Sequence, residues 1–481
     1  MSLQLSFSVG TLKVMVFFLL SSWNTVLDFD ENNNNLVCRE INNQSPSVTV
    51  EIKDTKAEIK IHNAEPISVS EDMSLKPGMG STIFDIKYPS RSGPYISLMF
   101  HGLYMSATST GTVAVDKTRN FSWETFRIIS QADLNNLSHF LNNSWYIRSR
   151  KEIISHHEIS GSGDFTIRIG NFFSTNTEDL IEALEKPNPK EVILFHDVWK
   201  TEFLDLFRPA VYYCSFGRPE GFECLKMSIS SLREYGEYSG EIKIFTEKNH
   251  EYIKDFLPNG NFDRISIEKY TALDNVDYMS ARFDTESISS LNEYQPILYM
   301  DTDIIVKNPI ETVLRSIISD KIHQFQVFKE VDDVAHDIYW GNELFDDDPA
   351  SEKPNFGFST GIIGFKNYQE ISAFFKTIRE IIFRQSTIWG TRQIIRCFDQ
   401  PVANYVLGKF ASLGSELLSS TVINFDMEYN NSPEDKYKSY VDNINEVIVH
   451  FAGGVGAYDW KLEAMKRFLN HLEEGSSSNE A

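Results

Sequence analysis

Residues Pro296 to Val306, Pro-Ile-Leu-Tyr-Met-Asp-Thr-Asp-Ile-Ile-Val, set two carboxylates inside a run that is otherwise apolar and β-branched and is closed off by Pro296 and Pro309. Such a run reads as a buried strand, and its acids fall where open α/β sheets bind ligands, at the carboxyl end. Alternate residues of a strand share a face, so Asp301 and Asp303 are expected to point one way and Thr302 the other. Neighbouring carboxylates repel unless something positive lies between them. Hard cations such as Mg²⁺ or Mn²⁺ are often held by one or two carboxylates and complete their shell with water and substrate phosphate. The pair therefore reads as a cation site that bridges to a diphosphate, although a bare Asp-x-Asp is more often a solvated loop.

The sequence around this run alternates between strand and helix. Ala210–Ser215 is expected as a buried strand. Residues 222 to 235 carry helical spacing through Phe222, Leu225, Ile229 and Leu232, and Ile242–Phe245 follows as a second strand. Tyr252–Leu257 reads as a helix, Ile265–Ile267 as a third strand, and residues 277 to 292 as a helix leading into Pro296. The expected fold class is α/β, a parallel, doubly wound sheet with its ligands at the strands' carboxyl ends.

The first part of the chain is patterned differently. Phe84-Asp85-Ile86, Phe126-Arg127-Ile128 and Phe165-Thr166-Ile167 recur at steps of about 40 residues, the range of closed or stacked repeat architectures. Three β units that cannot bury their own apolar faces suit a β-trefoil, and the stretch around Tyr104-Met105-Ser106 and Trp123-Glu124-Thr125-Phe126 resembles a fascin-like β-trefoil repeat. A generic β-sandwich is the plainer alternative. Ahead of these units, Val14–Leu20 has the length of a signal-peptide core and residues 28 to 35 read as a polar linker. The expected organisation is a leader and linker over 1–35, an all-β domain over 36–170, a junction over 171–208 opened by a capped helix at Thr177, an α/β domain over 209–472 and a tail over 473–481. The leader leaves cytoplasmic and secretory or Golgi-lumen locations both open, and membrane association has no other support.

A net charge of −23 argues against a nucleic-acid footprint, and an anionic substrate would need a cation as mediator. The four cysteines have no metal-ligand spacing.

Three further stretches carry chemistry. Asn355–Phe365 pairs a small-residue turn with an apolar strand, and its Thr360 and Gly361 suit a sugar pocket. Asp399 and Gln400 precede a helix, where capping is the ordinary role of such residues. Val447–Gly454 is a strand ending in His450 and a glycine pair, followed by Lys461. A strand-end histidine is more often structural than a ligand.

Taken in order, Ser280-Ala281-Arg282-Phe283, Tyr-Met-Asp-Thr-Asp, Phe-Ser-Thr-Gly, Asp-Gln and His-Phe-Ala-Gly resemble a glycosyltransferase of family 8, the glycogenin and galactosyltransferase type with a GT-A fold, which implies a doubly wound mixed sheet. The resemblance covers residues 209 to 470. It implies transfer of a hexose from a UDP-sugar to an acceptor hydroxyl with retention of configuration. Asp301, Asp303 and His450 would ligate manganese, or Mg²⁺ in its place. Ser215 and Phe222 would lie near the nucleoside, with Phe222 stacking on the base. Arg282, Thr302 and Lys461 would face the nucleotide, Thr360, Gly361 and Gly453 the donor sugar, and Asp399 and Gln400 the anomeric carbon. The chain departs from the family where residues 454 to 460 separate His-Phe-Ala-Gly from Lys461, and where Phe358 or Ser359 stands in place of a frequent Asn. A non-catalytic interaction protein, its trefoil binding filaments or glycans, is the alternative from another class. A nucleotidyltransferase is a third, for which Gly217–Gly221 is only a faint match to the required loop.

Overall fold

The computed structural model describes residues 15–478 apart from 43, 62–64, 72, 79, 90–92, 185, 198–199, 258–263, 335–337, 349–351, 389–390, 393–396, 443–445 and 454–457. The chain divides into two compact units between Leu206 and Phe207.

The first unit begins with twelve strands: β1 (Met15–Ser21), β2 (Thr25–Asp30), β3 (Asn35–Glu40), β4 (Val48–Lys53), β5 (Lys56–Ile61), β6 (Glu65–Val69), β7 (Leu75–Pro77), β8 (Ile83–Lys87), β9 (Tyr95–Phe100), β10 (Leu103–Ala107), β11 (Val113–Lys117) and β12 (Phe126–Ile129). β1 pairs with β4, β4 with β5, β5 with β8, β8 with β9, β9 with β12, and β12 returns to β1. Six antiparallel strands thereby close a barrel, which leaves no open edge among them. The remaining strands form three hairpins, β2 with β3, β6 with β7 and β10 with β11. Each hairpin is joined to the barrel by the same pairing, β1 to β2, β5 to β6 and β9 to β10. Val50, Ile59, Phe84, Leu98 and Phe126 from the barrel and Leu36, Leu75 and Val113 from the hairpins share one core. A single four-stranded set would leave its share of that apolar surface in water, so the three sets are stable only together.

The repeat exists, but it starts earlier than the sequence suggests. Phe84 and Phe126 occupy equivalent strands, β8 and β12, and the counterpart in the first set is Val50-Glu51-Ile52 in β4. Phe165 lies beyond the barrel, next to the separate strand Thr166–Ile169. The apolar run expected as a leader core supplies β1, with Leu19 and Leu20 buried. The expected linker is the turn between β2 and β3, where the Asn32 amide donates to Asp30 Oδ1 at 3.1 Å and Asn34 takes a left-handed backbone. Asparagine-rich stretches do this because the side chain mimics a backbone turn and tolerates positive φ. After the barrel come α1 (Gln131–Leu141), two small sheets and α2 (Thr177–Ala183), which Asn176 caps by accepting from the Asp179 amide.

The second unit is mixed α/β. Its elements include β13 (Ala210–Cys214), α3 (Pro219–Glu234), β14 (Glu241–Thr246), β15 (Ile265–Lys269), β16 (Ile297–Met300), β17 (Ile304–Val306), β18 (Phe325–Val331), β19 (Gly357–Phe365), α4 (Tyr368–Ser386), α5 (Gln400–Phe410), β20 (Leu413–Gly414), β21 (Val422–Asn424), β22 (Ile448–His450) and α6 (Tyr458–Ser478). The main sheet runs β15-β14-β13-β16-β19-β18-β20, with β19 antiparallel to both neighbours and the other pairings parallel. Its strands are apolar on both faces. Val211, Tyr213, Leu298 and Met300 pack with Phe222, Ile229 and Leu232 of α3, while Tyr212, Ile297 and Tyr299 pack with Phe375 and Ile378 of α4 and Val402 of α5. A second sheet, β17-β22-β21, lies beside this one.

The expected helix over 277–292 resolves into the short helix Asn275–Met279 and 3₁₀ turns at Ala281–Phe283 and Ser289–Glu293. No helix among the described residues is long and apolar enough to cross a membrane. Among the described residues none of the four cysteines forms a disulfide.

Candidate metal and sugar-nucleotide site

Asp301 and Asp303 do not share a strand. β16 ends at Met300 and β17 begins at Ile304 in the other sheet, so the pair sits in the turn between them and the change of sheet, not strand alternation, gathers the acids. The Asp301 amide donates to Gly361 O at 2.8 Å, which ties the turn to β19. The Phe451 amide donates to Asp303 O at 2.9 Å, and Ile304 pairs with His450. These two bonds bring a histidine some 150 positions away onto the acids, and ligand atoms of Asp301, Asp303 and His450 all lie within 4.8 Å of one another.

Three observations fit this set to a hard cation. Asp303 Oδ1 is buried without a hydrogen-bond partner, an arrangement that is costly for a carboxylate unless a positive group completes it. A Cβ on Gly361 would come within 2.9 Å of the His450 ring and 3.0 Å of Asp301 Oδ2, so glycine keeps the cradle open. Two carboxylates and an imidazole are a donor set that Mn²⁺ accepts.

Lys461, from the first turn of α6, donates to Asp303 Oδ2. Burial alone would raise the Asp303 carboxyl, but the Lys461 ammonium and the His450 ring outweigh it and hold the group below the usual carboxylate range. In this arrangement the lysine sits on the carboxylate rather than apart from it.

Arg282 is the second cationic centre. Its guanidinium meets Asp301 Oδ1 at 3.1 Å and Asp399 Oδ2 at 3.3 Å, donates to Thr360 O at 2.6 Å and lies over the Tyr299 ring at 4.7 Å. The Tyr299 hydroxyl also donates to Asp301 Oδ1. Asp399 stands at the N-cap position of α5 but makes no side-chain cap bond, so capping is not its role. Burial pushes its carboxyl above the ordinary range despite Arg282. Gln400 accepts from the Thr360 amide at 3.4 Å, and Asn404 holds α5 to β19 through the Phe358 amide and carbonyl at 2.9 and 2.8 Å.

Ser215 follows β13 at the same edge of the sheet as Asp301, buried, with a hydroxyl that has no hydrogen-bond partner. Thr302 is half-buried between the two acids. Gly453, three residues past His450, is exposed and takes φ +106°, a conformation that suits glycine. Its neighbour Gly454 lies outside the described residues. Phe222 is a correction. It is 1% exposed and packed edge-on against Tyr252, with Phe256 beside it, so it fixes α3 to the sheet and offers no face to a base. It falls on the apolar stripe of α3, which the helical spacing itself predicts.

Two residues escape the sequence reading. Asn424, at the end of β21, pairs in register with His450 and its Oδ1 lies 3.1 Å from His450 Nδ1. Glu330 accepts from Asn424, Gln400 and Trp340. No local signal marks either one.

No protein-family model matches the sequence, and no curated protein matches it. Among solved structures the chain is similar to the apo form of the WbbM bifunctional glycosyltransferase, at 13% identity and a TM-score of 0.36 over 56% of this chain and 50% of that one. It is similar also to the galactosyltransferase LgtC in complex with donor and acceptor sugar analogs, at 12% identity and a TM-score of 0.37 over 55% of this chain and 95% of that one. For mouse xyloside xylosyltransferase 1 in its apo form the figures are 13% and 0.35, over 51% and 98%. The chain thus spans about half the length of the first of these. Likenesses this distant establish no activity, and the functional reading stands on the geometry of the site.

Proposed function

We propose that the second unit is a metal-dependent glycosyltransferase of the GT-A type that moves a hexose from a UDP-sugar to an acceptor hydroxyl with retention. The observation that carries the reading is the convergence of Asp301, Asp303 and His450 around a cradle that Gly361 keeps open. A divalent cation held there would supply Lewis-acid charge to a diphosphate leaving group.

The other residues follow from where they stand. Arg282, already paired with Asp301 and Asp399, orients both acids and adds positive charge where the leaving group gains negative charge. Lys461 is the nearest flexible cation to Asp303, and its ammonium can turn from that carboxylate to a diphosphate once the acid is otherwise satisfied. Asp399 and Gln400 flank Thr360 and line the donor pocket. Ser215, with its unsatisfied hydroxyl, is a ready hydrogen-bond partner for the nucleoside.

We read the barrel of the first unit as a β-trefoil, because three four-stranded sets repeat one pairing scheme, and we assign it a binding role separate from the chemistry.

The test is release of UDP from a panel of UDP-sugars by purified protein. Release that requires Mn²⁺ and is lost in Asp303→Asn supports the proposal. No release from any sugar nucleotide, or release unaffected by chelation, overturns it.

A further inference from the structure

We infer that Glu330 and Asn424 form a positioning relay that sets how His450 and Gln400 face the site. The inference rests on the cation reading of Asp301, Asp303 and His450.

Glu330 lies near the end of β18, half-buried. Its carboxylate accepts from side chains on three separate elements. Asn424 Nδ2 donates to Oε1 at 3.2 Å, while Gln400 Nε2 and the Trp340 indole donate to Oε2 at 3.4 and 3.3 Å. A primary amide has one donating end and one accepting end, so holding its nitrogen on a carboxylate dictates where its oxygen goes. The opposite sense would set the amide oxygen against Glu330, lone pair to lone pair. For Asn424 the oxygen meets His450 Nδ1 at 3.1 Å. A carbonyl oxygen only accepts, so Nδ1 must carry the ring proton. Nε2 keeps its lone pair and stands 3.7 Å from Asp303 Oδ1. For Gln400 the oxygen receives the Thr360 amide. One carboxylate therefore sets the sense of two amides, one behind the histidine ligand and one in the donor pocket.

The parallel pairing of β21 with β22 places Asn424 beside His450 through the backbone, so the relay is built into the sheet. Metal-bound histidines commonly depend on such a partner for ring orientation and tautomer.

Two measurements test the relay. In metal-free protein with ¹⁵N-labelled histidine, above the range where imidazole is charged, the His450 resonances should report the Nδ1–H tautomer. Asn424→Leu should move them toward Nε2–H, the form the free ring prefers. In Mn²⁺ titrations Asn424→Leu should bind about 10- to 100-fold more weakly than wild type. Asn424→Asp, which still accepts from Nδ1 but sets a carboxylate against Glu330, should fall between wild type and Asn424→Leu. A residue that merely props Glu330 gives the reverse order, because Asp would face it carboxylate to carboxylate. An Nε2–H tautomer in the wild type, unaltered Mn²⁺ binding in Asn424→Leu, or an Asp variant weaker than the Leu variant overturns the relay. Should Asn424→Leu not fold, the wild-type tautomer and the Asp variant decide it. A wild type that takes up no Mn²⁺ overturns the cation reading instead, and the tautomer measurement still judges the relay.

Discussion

Asp205 in the first unit and Asp303 in the second are both buried acids facing a cation, and they are finished differently. Asp205 is fully buried, and Arg148 closes on both of its oxygens, Nε and Nη2 each at 2.7 Å. The guanidinium fork satisfies the carboxylate from one side, and Arg148 is held above its ordinary range chiefly by that bond. Asp303 has Lys461 on one oxygen and nothing hydrogen-bonded to the other. Breaking a closed pair of this kind costs stability, whereas an incomplete one beside a second acid and an imidazole marks a candidate binding site.

The largest effects should separate the two. Asp205→Ala removes both bonds from Arg148 and leaves the half-buried guanidinium only its ion pair with Glu191, so it should cost about 1.5–3 kcal/mol of unfolding free energy, read by denaturant titration of the first unit's transition. A loss below about 1 kcal/mol would mean that this pair, too, is incomplete. Asp303→Asn should lower the rate of UDP release roughly a thousandfold, the equivalent of the several kcal/mol that a bound metal contributes. Its stability cost should be smaller than that of Asp205→Ala, because an amide oxygen still accepts from Lys461.

Gly361→Ala sharpens the contrast from the side of space. The new methyl group meets His450 and Asp301, so Mn²⁺ affinity should fall, with an overpacking cost of about 1–3 kcal/mol in stability. Unchanged Mn²⁺ affinity would place the cation elsewhere.

Acid titration compares the two carboxylates of the site itself. Asp303 is depressed on folding, so its contribution to stability is present above the unfolded carboxylate value and is lost as pH falls through its folded one. Asp399 is raised, so its contribution is present at low pH and is lost as pH rises through its folded value. Asp303→Asn should therefore flatten the acid limb of the stability curve. Asp399→Asn should raise stability near neutrality while slowing turnover, and parallel curves for the two variants would contradict both assignments.

The smallest expected effect belongs to Lys461→Met. Removing a positive charge that competes for Asp303 should tighten Mn²⁺ binding about fivefold, on the order of 1 kcal/mol at partly screened distances, while UDP release slows. Weaker Mn²⁺ binding would show that the lysine shapes the site rather than competing for it.

Much of this site is legible before any coordinates, for physical reasons. The apolar flanks of Asp301 and Asp303, and the order in which Arg282, Thr360, Gly361, Asp399, Gln400 and His450 follow, are properties of single segments. Asn424 and Glu330 are not. Their importance lies in a register between strands distant in sequence, and an asparagine or glutamate at a strand end looks the same whether or not it backs a ligand. Strand periodicity also cannot distinguish one strand from two short strands in different sheets, which is why the acid pair turned out to occupy a turn. In the barrel the step between repeats was visible but not where it began. The first set hides Leu19 and Leu20 in a run that has the composition of a leader, and its equivalent of Phe84 and Phe126 is the smaller Val50. Phe222 shows the converse error, since a residue that fits the core stripe of a helix has already been given its place.

The central claim is that Asp301, Asp303 and His450 hold one divalent cation. Electron–nuclear double resonance on Mn²⁺ bound to protein carrying ¹⁵N-histidine examines the bond itself. The account predicts one directly coordinated imidazole nitrogen, lost in His450→Leu while the fold persists. Bound Mn²⁺ without any nitrogen coupling, or a coupling that survives that substitution, would contradict it.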